Sequence, residues 1–174
     1  MMLAGIRRLW RPGTKSTGQG ERHGKEAADF RTEMEVAAPS DPDMASLLSH
    51  WRVAKASREM PMRRDISLSR IRAVLPRLYI LDVVDQTFRV RMQGTEVDRW
   101  LGSERTGQTL AECGYGKKPA IAYSICAMRQ RPVVTVGSVR WPRQHLFLSY
   151  EKLVLPLGDE DGIVVQLLCA MNIQ

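Results

Sequence analysis

A chain of 174 residues, 44% hydrophobic and with a net charge of +7 at pH 7, has room for one folded core plus flanking segments. Its three cysteines, Cys113, Cys126 and Cys169, form no C-x-x-C pair, which excludes a zinc ribbon and a dithiol redox motif and suits a reducing cytoplasm. The apolar part of MMLAGIRRLW is too short for a signal peptide, its arginines follow where they should precede, and no apolar run is long enough to span a bilayer, so the expected location is cytoplasmic.

Residues 1–40 read as a disordered tail, because glycines gather before Lys25 and residues 14–29 show no hydrophobic period. A flanking amphipathic helix is expected within 41–60. Asp41 is a good N-cap and Pro42 suits the first helical position. Met44, Leu47, Leu48 and Trp51 follow at i, i+3, i+4 and i+7, one apolar stripe. Met60-Pro61 closes the helix, and the domain proper is assigned to 61–174.

Ser67 is placed as the cap of a short helix with Ile71, Val74 and Leu75 on its apolar side, ended by Pro76. Residues 78–84 form a near-continuous apolar strand, and Asp85-Gln86-Thr87 turns the chain. Phe88, Val90 and Met92 then alternate with Arg89, Arg91 and Gln93, the period of a half-buried strand. Gly94 stops it. Thr95 can cap a second helix, Val97, Trp100 and Leu101 share a face of it, and Gly102 supplies a left-handed stop. Thr106-Gly107 marks a further turn, and a short helical piece starts at Thr109. A longer helix is expected over 117–131, with Ile121, Ile125 and Met128 on one stripe. Three strands follow, over 133–141, 145–157 and 163–173. The last has one wholly apolar face (Ile163, Val165, Leu167, Cys169, Met171, Ile173) and Val164, Leu168 and Ala170 on the other. Both faces therefore expect cover.

Reaction chemistry is not visible. His23, His50 and His145 share no metal-ligand spacing. No G-x-S-x-G, H-E-x-x-H, Walker-type loop or G-x-G-x-x-G is present, and Glu96 and Asp98, two apart on a helix, point different ways. The expectation is a protein that is not an enzyme and holds no metal. Charge offers a different class. Acidic and basic residues cancel up to Ala45, so the excess lies beyond it. Seven basic residues (Arg52, Lys55, Arg58, Arg63, Arg64, Arg70, Arg72) face only Glu59 and Asp65 in that stretch. Such a patch suits nucleic acid or an anionic surface, against the plainer reading of a solvated face. Pro61 and the connector after it spoil a helix-turn-helix there.

Strands followed by short helices, a longer helix and three more strands make an α+β order, a sheet with helices gathered on one face. The stretch 88–112, with its repeated glycine switches, suits the wall of a pocket. Trp100, Leu110, Ile121, Ile125 and Met128 are the cavity candidates, with Phe88 and Val90 on the sheet side; the competing reading is that they fill the core. Met44, Leu47, Leu48 and Trp51 are the candidates for contact with a partner or for cover of the sheet.

The segments MPMRRDISLSRIRAVLPRLYILDVV, FRVRMQGTEVDRWLG with the later TG turn, and YEKLVLPL, taken in this order, resemble a bacterial PAS subfamily with a Trp-containing flanking helix. The resemblance runs from about Leu47 to Ala170. It implies a five-stranded antiparallel sheet with short helices on one face, an N-terminal flanking helix, a small cavity, and a role in sensing or protein contact. Haem-binding members of the family carry a histidine on the long internal helix, and 117–131 has none. The reactive cysteine segment of flavin photosensors is absent too, since Glu112-Cys113-Gly114-Tyr115 does not match it. No haem or flavin is expected, and a small apolar ligand or none remains. The expected function is a stand-alone sensory or regulatory module working by contact with a signalling protein or as a homodimer. The alternative is a basic nucleic-acid or anionic-surface binder using Arg52 through Arg72.

Overall fold

The computed structural model describes residues 29–85, 87–114, 117–141 and 146–174. Strand β1 (Asp29–Val36) and helix α1 (Pro42–Lys55) come first. Strands β2 (Leu78–Val84) and β3 (Thr87–Gln93), helices α2 (Thr95–Leu101) and α3 (Lys117–Arg129), and strands β4 (Val133–Trp141), β5 (Leu146–Gly158) and β6 (Val164–Ile173) follow. The strands form one sheet in the order β1-β4-β5-β6-β2-β3, every neighbouring pair antiparallel.

Helix α1 forms for the reasons its sequence gives. Asp41 Oδ1 accepts the Met44 N–H at 2.9 Å, and Pro42 opens the first turn. The cap is also a junction. Arg77 donates to Asp41 Oδ2 at 2.7 Å and to Asp43 at 2.6 Å, and Asn172 donates to Asp41 Oδ2 at 3.0 Å. Burial pushes the Asp41 carboxyl up, but the Arg77 bond, the cap bond and the Arg77 charge together outweigh it and hold it low. Just ahead, the buried Glu151 carboxylate of β5 accepts from Ser40 N (2.7 Å), Ser40 Oγ (3.1 Å) and Asp41 N (3.0 Å). The stripe Met44, Leu47, Leu48 and Trp51 is wholly buried, and Trp51 Nε1 donates to the Pro156 carbonyl at 2.9 Å. These four residues cover the sheet of their own chain. They are not an exposed contact face, because the strand face beneath them would otherwise stay wet.

The face under α1 is built from cross-strand pairs of buried residues: Leu78 opposite Ala170, Ile80 opposite Leu168, Leu153 opposite Ala170 and Leu155 opposite Leu168. Both faces of the sheet are thus covered, as the composition of β6 requires. Only the start of that strand departs from the expectation, with Ile163 and Val165 exposed.

Strand β1 is a correction. The segment 1–40 was expected to be a tail, yet Asp29–Val36 pairs with β4 through an irregularity between Thr32 and Met34. The expected five strands are therefore joined by a sixth. Its sequence DFRTEMEV alternates Phe30, Thr32, Met34 and Val36 with four charged residues, a strand period that lies just past the aperiodic stretch. Residues 1–28, including His23, lie outside the described residues, as does His145.

Local geometry corrects three smaller expectations. Gly94, not Thr95, holds the N-cap position of α2, without a side-chain cap. A Cβ on Gly94 would collide with the carbonyl oxygens of Leu75 and Pro76, while its N–H donates to Leu78 O at 2.7 Å. The short helix expected after Ser67 is present over 68–77 as a 3-10 helix with a kink at Ile71. Ser67 does not cap it through its hydroxyl; its N–H donates to His50 Nε2 at 3.0 Å, so His50 is half-buried. The piece starting at Thr109 is a turn closed by reciprocal bonds between Thr109 and Glu112, at 2.7 and 3.3 Å. Just before it the chain runs along β3: Gly107 N–H donates to Val90 O (2.7 Å), Val90 N–H to Gln108 O (2.8 Å) and Leu110 N–H to Phe88 O (3.0 Å). That covers an otherwise open sheet edge.

Candidate functional site: a cavity under the short helices

Between the sheet and α2 and α3 lies a cavity of about 50 Å³. Its floor is Tyr79 and Leu81 of β2, Val90 and Gln93 of β3, Lys152 of β5 and Met171 of β6. Val97 and Leu101 of α2, Leu110 of the turn that follows β3's edge segment, and Tyr123 of α3 complete it. The sheet register explains the floor. Tyr79 sits opposite Gln93 on one side and Cys169 on the other, and Lys152 sits opposite Met171, so these side chains share one face.

Four polar side chains interrupt the apolar lining. The Tyr79 and Tyr123 hydroxyls are bonded to each other at 2.8 Å, and their rings meet edge to face. Gln93 is oriented by the Arg105 N–H, which donates to its Oε1 at 2.8 Å. That fixes the amide and leaves Gln93 Nε2 buried with no partner among the described residues. Lys152 is only 3% exposed, in the middle of an apolar strand. Its ammonium lies 4.6 Å over the Tyr123 ring centroid and 5.8 Å from that of Tyr150. Among the described residues it has neither a carboxylate in reach nor a hydrogen bond. Burial pulls its pKa down to about 8, with Cys169 pulling weakly the other way. Burial likewise pushes the Tyr79 hydroxyl and the Cys126 and Cys169 thiols up, so these neighbours stay neutral.

Of the residues nominated from sequence, Val90 and Leu110 line the cavity. Phe88 is buried beside it, its ring centroid 5.7 Å from that of Tyr123. Trp100 and Ile125 are half-buried against the core and do not line it. Ile121 and Met128 are 57% and 63% exposed and point away. Helix α3 is rotated relative to the expectation, with Ala122, Tyr123 and Cys126 buried. Two stripes of this helix are apolar, and the hydropathy pattern does not choose between them.

Lys152, Gln93, Tyr79 and Tyr123 were missed. The available signal was a lysine in YEKLVLPL on the phase of Tyr150 and Val154, an inward phase if that strand is covered on both faces. Elsewhere, two residues of the basic stretch are neutralised, Arg58 by Asp65 at 2.6 Å and Arg64 by Glu160 at 3.2 Å, while Arg52, Arg70 and Arg72 are exposed. Among the described residues no group of histidines, cysteines and carboxylates could hold a metal ion, and no helix is long and apolar enough to cross a membrane.

An antiparallel sheet with short helices folded over one face around a small cavity defines an α+β module of the ligand-cavity type. The model of the family described as PAS domain matches residues 40–172, and the chain belongs to that family, whose domains are generally sensory modules. Among solved structures, one described as the structure of an RNA-binding light-oxygen-voltage receptor is similar at 12% identity and a TM-score of 0.44. The match covers 83% of this chain and 37% of that one, so this chain spans well under half of that protein. No curated protein matches significantly.

Proposed function

We propose that this PAS module acts in signalling by contact with a partner protein or a second copy of itself, and that its cavity holds a small ligand. The observation that carries the ligand is the cavity. At about 50 Å³ it is several times the ~10–15 Å³ that one water needs, and it is lined mainly by apolar groups with a few polar ones. A ligand there touches α2, Leu110 and α3 at once. The segment joining these elements turns at Gly102 and Gly107 with φ of 71° and 85° and is tied to β3 through Arg105, Gly107, Gln108 and Leu110, so a ligand seated on β3 lies against the strand that holds this segment. The ligand is colourless in this reading. The space is too small for a flavin ring or a porphyrin, and residues 117–131 offer no histidine to haem iron.

Native mass spectrometry with an absorbance spectrum on freshly purified protein tests the ligand. A retained small mass without a visible band is expected. An empty protein whose melting temperature no small molecule raises overturns the ligand half of the reading. Light scattering across a concentration series tests the homodimer.

A further inference from the structure

Two hydrogen-bond donors belong to residues that line the cavity and have no acceptor among the described residues. The first is the Lys152 ammonium, whose near neighbours are the aromatic faces of Tyr123 and Tyr150. Ring faces partly balance a cation, but they leave its hydrogen-bonding capacity unmet. The second is Gln93 Nε2, held in place because the other end of the amide is engaged by Arg105 N–H. Among the described residues lining the cavity Lys152 is the one charged group, and no carboxylate balances it. Lysine is rarely fully buried unless paired, and a buried charge without a counterion is costly.

We propose that the cavity is a receptor for a small carboxylate, its head held by the Lys152 ammonium and the Gln93 amide and its body packed against Leu81, Val97 and Leu101. This rests on the reading of the cavity as a ligand site and replaces the small apolar ligand with an amphipathic one. A single negative charge matches a single ammonium. A phosphate dianion would bring more charge and more acceptors into an apolar space than two donors can satisfy. A cationic ligand would meet Lys152 head on. The volume restricts the body to a short chain.

Thermal melts of the full chain test the proposal. The probes are the sodium salts from acetate to hexanoate, the matching primary alcohols, and sodium chloride at equal ionic strength. A saturable rise in melting temperature with at least one carboxylate, exceeding that of its alcohol, is expected. Lys152→Met should lose that rise. Gln93→Glu keeps an oxygen for the Arg105 N–H, removes the donor and should weaken the carboxylate at least tenfold. The side-chain NMR signal of Lys152 in the unmodified protein should shift with the same saturation curve, which keeps the test independent of how the variants fold. Alcohols that stabilise as well as their acids, or an unmoved Lys152 signal, overturn the carboxylate while the ligand cavity stands. If neither acids nor alcohols stabilise and the purified protein is empty, the cavity reading falls with it.

Discussion

The two faces of the sheet are solved differently. Under α1 the cross-strand pairs of leucine, isoleucine and alanine are filled to the point that Met44 and Leu47 lose all exposure. Under α2 and α3 the same strands leave a cavity and bury a lysine that has no counterion among the described residues. A face that only has to hold the fold is packed dry and dense. The other gives up stability to keep space and charge.

That contrast can be broken from either side. The largest effect is expected under α1. Leu48→Ala with Trp51→Ala removes two buried side chains and the Trp51 bond to Pro156, at a cost on the order of 5 kcal/mol. Denaturant melts should show most of the stability gone, and an intact fold with merely altered self-association would contradict the intramolecular role.

On the cavity face Lys152→Met should act in the opposite direction. The amine falls from its ordinary 10.5 to about 8, so the folded state suffers a penalty on the order of 3 kcal/mol below pH 8. The unfolded chain binds the extra proton between pH 8 and 10.5, so the stability of the unmodified protein should rise across that window. The variant should start higher and lack this rise.

Gly94→Ala is expected to cost about 2 kcal/mol, because the new methyl meets backbone oxygens of Leu75 and Pro76 that cannot step aside. Chemical denaturation checks it. Asp41→Asn keeps the cap oxygen but loses the charge that Arg77 grips, at a cost of about 2 kcal/mol or less at neutral pH. The native carboxyl is held low, so its contribution is present above the ordinary Asp range and is lost as pH falls from there through the lower folded value. The variant should show a flatter acid limb. The smallest effect belongs to Ile121→Ser with Met128→Ser. Both side chains are exposed, and a change within about 0.5 kcal/mol is expected. A large loss would restore them to the core.

Most of the fold was legible. The α1 cap and stripe, the strands from β2 to β6 and the stop at Gly102 follow from local chemistry, since each residue's role depends on near neighbours. The phase of α3 was not, because Ala122, Tyr123 and Cys126 compete with an equally apolar stripe and only the sheet decides between them. The alternation of strand β1 spans only eight residues and follows a stretch with no hydrophobic period, so it does not stand out until its pairing with β4 is seen. The site was the least legible part. Val90 and Leu110 could be named, but Lys152 defies the rule that puts lysines outside, and the amide of Gln93 acquires its direction only from Arg105, twelve residues on.

Glu151 and Lys152 are neighbours on β5 and turn to opposite faces. The carboxylate fastens Ser40 and Asp41 at the entrance of α1, and the ammonium looks into the cavity. One peptide bond therefore joins the grip on the N-terminal segment to the one charged group among the described residues of the pocket lining. A small displacement of β5 at this point is handed to the entrance of α1 through a single side chain, that of Glu151.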